Sequence, residues 1–204
     1  LGAEATAFYI ALPPQTFAQG LTVTITDESN FSMTQTTKKS VTIARNTIQP
    51  MAAFEFEKVP NNQIWYTSSD GNIVMPSYTN VFGAKIVSNT YSNGKGVITF
   101  DGEVIKVGLY AFSDCTSLRS IRIPDNVTKI GRYAFKNDYA LSSITFNSTS
   151  KMDRIGMYAF AYCGLYEFTV PSNVSSIAQF VFEGCRSLYK ITFAENSKLE
   201  YIPA

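Results

Sequence analysis

The chain reads as mainly β: a right-handed solenoid of about four and a half repeats of 22–25 residues, preceded by a partial antiparallel β-sandwich. Three observations predict this. The line Ile130-Gly-Arg-Tyr-Ala-Phe135 is written again, with small changes, at residues 107–112, 155–160 and 177–182. A second line follows each copy at a nearly constant distance: Leu118-x-x-Ile121-x-Ile123, Leu141-x-x-Ile144-x-Phe146, Leu165-x-x-Phe168-x-Val170 and Leu188-x-x-Ile191-x-Phe193. Residues 1–58 show no such repeat and instead alternate apolar with polar at a period of two, as half-buried strands do. The expected organisation is therefore 1–58 as partial sandwich, 59–96 as β-rich connector and N-terminal cap, and 97–204 as repeats.

In the first part Leu21, Val23 and Ile25 face one way, and Thr22, Thr24 and Thr26 the other. Asp27-Glu-Ser-Asn30 reads as the turn of a hairpin whose return strand holds Phe31 and Met33, since Asp, Ser and Asn favour turns. Further strands are predicted at 6–12, closed by Pro13-Pro14, at 40–44 and at 53–57. About seven strands make a sandwich of this type. The five predicted here suggest the remnant of a larger one.

Pro60-Asn-Asn62 breaks the alternation, and Ile64-Trp-Tyr-Thr67 reads as a short strand before the turn Ser69-Asp-Gly-Asn72. Trp65, the single tryptophan, is expected to cover the open end of the solenoid in preference to serving as a ligand platform. Ser92-Asn-Gly-Lys-Gly96 is a second turn; Asn and Gly tolerate positive φ. A phosphate cradle would need a helix N-terminus after the glycines, and β-rich Val97-Ile-Thr-Phe100 follows instead. Residues 98–104 align with 121–127 at an offset of 23, which predicts that 98–100 form the first rung of the array.

The Ile and Val positions at 107, 130, 155, 177 and 202 are spaced 23, 25, 22 and 25 residues apart, inside the window of leucine-rich repeats. Within each strand line the first, fourth and sixth residues should point into the stack. Asn126, Asn173 and Asn196 take the ninth place, where a side chain can satisfy turning backbone; the second repeat has Thr149 there. Pro124 and Pro171 open tight corners, whereas Phe146 and Phe193 precede longer ones. Ala111/Phe112, Ala134/Phe135, Ala159/Phe160 and Val181/Phe182 should stack as an internal ladder. No repeat can bury its face alone, so stability must come from neighbours. Leu199-Glu-Tyr-Ile202 opens a fifth repeat, and both ends of the chain read as cuts through a longer protein.

Ile-Gly-x-Tyr-Ala-Phe-x-x-Cys-x-x-Leu followed by Ile-x-Ile-Pro-x-Asn-Val resembles the BspA-type subclass of leucine-rich repeats, over residues 97–204. The departures are Asp138 at the Cys position, Ala178 for Gly, and one residue missing after Cys163. The resemblance implies a bacterial protein that is secreted or anchored at the cell surface, as an outer-membrane lipoprotein for instance. It also implies adhesion or protein binding and no catalysis. Tyr9-Ile-Ala-Leu-Pro-Pro-Gln-Thr-Phe17, with Arg45-Asn-Thr-Ile48 and Met51-Ala-Ala-Phe54, resembles the last strands of fimbrillin-like surface domains, which implies a scaffold.

Composition excludes several chemistries. Seventeen basic residues against sixteen acidic leave no field of one sign for nucleic acid or an anionic membrane. No apolar run approaches the roughly 18 to 20 residues that span a bilayer. The chain has no histidine, so Ser-His-Asp and Cys-His sites and the commonest metal ligand are absent, and no cofactor or metal is expected. Cys115, Cys163 and Cys185 recur at the third position after each ladder Phe, so they read as buried thiols, with a Cys163–Cys185 bridge as the alternative. The acidic pairs Asp125/Glu103 and Glu167/Asp153 could in principle flank a glycoside, but read as solvated corners.

The remaining surface is the outward face of the strands. Its fifth column reads Thr99, Arg122, Thr145, Thr169, Thr192, and its second reads Arg119, Ser142, Tyr166, Tyr189. Tyr and Arg are the residue types enriched in binding hot spots. The candidate partner-binding set is therefore Arg119, Arg122, Tyr166, Glu167, Tyr189 and Lys190. A second aromatic column, Tyr110, Tyr133, Tyr158 and Phe180, lies on the opposite side and reads as packing. The expected partner is an extracellular protein, with a glycan as a further possibility; the competing reading is a structural stalk or fimbria-associated spacer without a ligand.

Overall fold

The computed structural model describes residues 14–18, 21–26, 32–36, 40–44 and 58–200. These fall into two compact units, the second beginning just before residue 58. In the first unit, β2 (Thr22–Thr26) pairs antiparallel with β3 (Ser32–Thr36), with Thr26 opposite Ser32, as the predicted hairpin requires. β1 (Gln15–Phe17) pairs antiparallel with β4 (Val41–Ile43), and the Thr16 and Thr42 hydroxyls bond at 3.1 Å. β1 follows the Pro-Pro pair, where the sequence placed no strand. The predicted strands at 6–12 and 53–57 lie outside the described residues.

The second unit starts with β5 (Gln63–Ser68), β6 (Ile86–Ser92) and β7 (Lys95–Phe100), an antiparallel group in the order β5-β7-β6. Asn93 and Gly94, at φ 51° and 79°, form the two-residue turn between β6 and β7 that Asn-Gly predicts. The first repeat line then gives the two-residue strands β8 (Lys106–Val107), β10 (Lys129–Ile130), β12 (Arg154–Ile155) and β14 (Ser176–Ile177). They form one parallel sheet, with Ile130 opposite both Val107 and Ile155. The second line gives β9 (Leu118–Ile123), β11 (Ser143–Phe146), β13 (Glu167–Val170) and β15 (Lys190–Phe193). Among the described residues there is no helix, and the repeats make a β-solenoid of about four turns.

Between the two sheets lies one core. Leu118, Ile121, Ile123, Leu141, Leu165, Phe168 and Val170 reach it from the long strands, and Val107, Ile130 and Ile155 from the short ones. The phenylalanine ladder is continuous: Phe112, Phe135, Phe160 and Phe182 stack with centroids 5.4, 5.4 and 5.8 Å apart and nearly parallel planes, and Phe82 closes the first rung edge-on at 5.7 Å. Each ring removed from water stabilises by roughly 1.5 to 3 kcal/mol.

The first rung differs from expectation. β7 is not the neighbour of β9; β5 lies between them, antiparallel to both, and places Trp65 opposite Arg122 where Thr99 was expected. Ile98 and Phe100 still face the core, so alternation fixed their face correctly without fixing which strand lies beside them. Tyr66 fills the space that Gly96 leaves, since a Cβ on Gly96 would fall 2.1 Å from its ring. Its phenol donates to Asn89 Oδ1 at 2.8 Å and accepts from the Val74 amide at 3.2 Å.

Trp65 is also displaced from its expected role. It does not cover an open end: it lies on the face of the sheet opposite the core, packed with Val59 and Val97 and only 4% exposed. Its Nε1 donates to Gln63 Oε1 at 2.8 Å, and the Lys95 ammonium stands 3.1 Å from a ring centroid. Alternation again explains the placement, because Ile64 and Tyr66 take the core-facing positions on either side of it.

The long-strand sheet divides after β11. β11 pairs with β9, β13 pairs with β15, and the two pairs belong to separate sheets. The division falls where repeat 3 lacks its residue after Cys163.

Candidate functional site

β13 and β15 run parallel in register, Glu167 opposite Lys190, which carries Tyr166 and Tyr189 to neighbouring places just before the strands. The Tyr189 amide donates to the Tyr166 carbonyl at 3.0 Å. The Tyr189 phenol donates to Glu167 Oε1, and the Lys190 ammonium lies 3.7 Å from Glu167 Oε2. Tyr166 is 54% exposed and Tyr189 72%. Four of the six candidate residues thus form one patch: two tyrosines in a column, with an acid and a base beside them. Arg119 and Arg122 belong to β9, on the far side of β11, so they stand apart from that patch. Arg122 is half-buried beside Trp65.

Next to the patch the surface holds a cleft of about 370 Å³, lined by Tyr139, Tyr162, Cys163, Gly164, Gly184, Arg186 and Ser187. Its cause is legible in the repeat. Two residues separate the Cys position from the strand leucine in the other copies, namely Thr116-Ser117, Tyr139-Ala140 and Arg186-Ser187; repeat 3 has Gly164 alone. The shortened chain runs close beneath repeat 2, where a Cβ on Gly164 would fall 2.3 Å from the Tyr139 carbonyl oxygen. Tyr162 lies over Gly184, whose added Cβ would stand 2.3 Å from the ring, and its phenol donates to Glu183 Oε1 at 3.0 Å. That carboxylate raises the Tyr162 pKa. The missing residue was the only sequence signal for the cleft.

The remaining candidates prove to be structural. All three cysteines are free thiols, so Cys163 and Cys185 are not bridged. Their Sγ atoms donate to carbonyls: Cys115 to Met75 at 3.2 Å, Cys163 to Phe135 at 3.0 Å and Cys185 to Phe160 at 2.9 Å. Burial pushes the Cys115 thiol up to about 12 and raises the other two, so burial favours the protonated thiol in each.

The acidic pairs are spent between repeats. Asp125 accepts from Asn147 Nδ2 at 2.8 Å and Thr149 Oγ1 at 2.5 Å, Glu103 accepts from Asn126 Nδ2 at 2.8 Å, and Asp153 binds Arg154 and Ser175. Asn173 satisfies backbone as expected, donating to the Ser150 carbonyl at 2.8 Å. Tyr110, Tyr133, Tyr158 and Phe180 stack at 4.9, 5.3 and 5.1 Å, so the ring faces between neighbours are taken up by each other. Among the described residues no group of three His, Cys, Asp or Glu could hold a metal ion, and no helix is long and apolar enough to cross a membrane.

Residues 84–203 match the family model described as the BspA type leucine rich repeat region, in 6 copies. The chain belongs to this family. Among solved structures it is similar to the pneumococcal vaccine antigen PcpA, at 26% identity and a TM-score of 0.43, over 56% of this chain and 29% of that one. A leucine-rich repeat protein from Bacteroides capillosus is 25% identical at a TM-score of 0.41, over 53% of this chain and 74% of that one. A leucine rich cell surface protein from Faecalibacterium prausnitzii is 23% identical at a TM-score of 0.37, over 73% of this chain and 44% of that one. No curated protein matches the chain.

Within these BspA-type repeats Asp138 is the departure with an electrostatic consequence. It is fully buried at the Cys position of repeat 2. Its Oδ1 accepts from the Cys115 amide at 2.8 Å, and its Oδ2 has no hydrogen-bond partner among the described residues. Burial is the main cause that holds this carboxyl well above the usual carboxylate range, and the nearby Asp114 charge adds to it.

Proposed function

We propose that the protein is a surface-displayed or secreted binding module that grips an extracellular protein through the outward face of its long strands, without catalysis. Arrangement of the β13–β15 patch carries the reading. Tyr166 and Tyr189 stand exposed in one column just before the paired strands β13 and β15, with Glu167 and Lys190 beside them. Tyrosine offers a large, rigid, amphipathic contact at low entropic cost, the character of hot-spot residues. Arg119 and Arg122 extend the same face toward β5 as outlying contacts. Residues 1–58 would then serve as a fimbrillin-like stalk, and anchoring as an outer-membrane lipoprotein would display the solenoid.

The test is binding of the purified chain to an array of immobilised extracellular-matrix proteins, with the Tyr166→Ala/Tyr189→Ala variant beside it. Saturable binding that the variant loses supports the proposal. Silence across the array, with the fold intact, would favour a spacer role for the repeats.

A further inference from the structure

The cleft beside Gly164 has a chemistry distinct from the patch on β13 and β15. Cys163, Gly164 and Gly184 line it together with two aromatic residues, Tyr139 and Tyr162, and two polar ones, Arg186 and Ser187. The Cys163 thiol is engaged with the Phe135 carbonyl and is not available to a ligand. Glu183, the nearby carboxylate, takes the Tyr162 phenol. Arg186 makes no ion pair among the described residues.

Size and lining decide what fits. The cleft is open to solvent, and its volume of about 370 Å³ leaves room for one sugar-sized ring. Tyr139 and Tyr162, 63% and 38% exposed, present flat rings of the kind that pack against the apolar face of a sugar; the Tyr162 phenol is taken by Glu183, which leaves the Tyr139 phenol to bond its hydroxyls. A guanidinium fork matches a carboxylate with two parallel hydrogen bonds. A neutral sugar would leave the fork unused, and a peptide carboxylate would leave the rings uncovered.

We propose that this cleft binds a carboxylate-bearing sugar, its carboxylate on Arg186 and its ring against Tyr139 and Tyr162. The site exists because repeat 3 is one residue short, so it belongs to this array and not to the repeat as such.

The proposal is tested by NMR titration of the whole chain with N-acetylneuraminic acid, glucuronic acid, neutral glucose and N-acetylglutamate. The expected result is saturable binding of one or both sugar acids and none of glucose; whichever acid binds identifies the source. Arg186→Gln should weaken that binding roughly tenfold or more, as loss of a charge-assisted bond does, with an unchanged melting temperature. Replacing Gly164 by Tyr-Ala, the pair found in repeat 2, should abolish binding by filling the cleft.

Failure of every acid to bind the unaltered chain would overturn the proposal, as would binding that Arg186→Gln leaves intact. Equal binding of N-acetylglutamate would replace the sugar with an acidic peptide and overturn it as well. Tyr166 and Tyr189 do not line the cleft, so the Tyr166→Ala/Tyr189→Ala variant should keep its affinity for the sugar acid. The protein-binding and sugar-binding readings therefore fail separately.

Discussion

β5 and β15 carry similar strand patterns and meet opposite fates. From Ile64 to Ser68 every residue of β5 is buried, on both faces, while every residue of β15 from Lys190 to Phe193 is exposed. β5 has β7 on one side and β9 on the other, and Val59 and Val97 pack around Trp65 on its outer face. Among the described residues β15 pairs with β13 alone. Ile191 and Phe193 are 41% and 43% exposed, although Phe168 and Val170 at the same positions one rung earlier are closed off. The sequence pattern decides which way a side chain faces; the number of neighbouring rungs decides whether facing inward removes it from water.

The largest expected effect tests that rule on the ladder. Phe135 is stacked on both sides, by Phe112 and Phe160, so Phe135→Ala should cost about 3 to 5 kcal/mol. Phe182 is half-buried and stacks on Phe160 alone among the ladder rings, so Phe182→Ala should cost about 1 kcal/mol. Urea denaturation measures both. Equal losses would break the comparison between inner and outer rungs.

A smaller effect probes how β5 is locked. Gly96→Ala forces a methyl into the Tyr66 ring and should cost about 1 to 3 kcal/mol by overpacking. Combined with Tyr66→Leu the losses should fall short of additive, because the shorter side chain vacates the contested space. Strict additivity would show that the two positions do not meet.

Asp138 sharpens the comparison within the core. Cys163 and Cys185 occupy its repeat position and donate to the carbonyls of Phe135 and Phe160, whereas an ionised carboxylate can only accept. Burial outweighs the one hydrogen bond that favours the Asp138 charge, from the Cys115 amide, and the nearby Asp114 charge opposes it further. Its folded-state pKa is raised above the unfolded value. Its contribution to stability is therefore complete below the unfolded pKa and is lost as pH rises through the folded one. Asp138→Asn, which supplies an amide donor, should raise stability at neutral pH by about 1 kcal/mol and flatten the alkaline side of the profile. Thermal melts of both proteins between pH 4 and 9 provide the check, and parallel profiles would exclude Asp138 as the source.

How much of this was legible in the sequence follows from which forces act locally. The repeat lines, the phenylalanine ladder, the Asn93-Gly94 turn and the thiol positions were readable because each depends on residues recurring at fixed spacing. Insertion of β5 between β7 and β9 was not, because residues 98–100 have the same face pattern whether or not they adjoin β9. Tyr166 and Tyr189 were readable as a column, and so was the rung that separates them from Arg122; the placing of Trp65 beside Arg122 was not, because it depends on β5 pairing with β9. The cleft at Gly164 was present in the sequence only as a missing residue, and an absence shows its effect only once neighbouring rungs are stacked.

The smallest expected effect returns to β15. Ile191→Thr should cost under about 0.5 kcal/mol, as substitutions at well-exposed positions do. Ile121→Thr, at the matching place on β9, should cost several times more, because that side chain is fully buried and its hydroxyl would find no water. Both changes swap one β-branched residue for another, so strand propensity barely differs between them. A loss at Ile191 comparable to that at Ile121 would mean that β15 is covered in solution, by a second copy for instance, and sedimentation of the unaltered chain would then show the association directly.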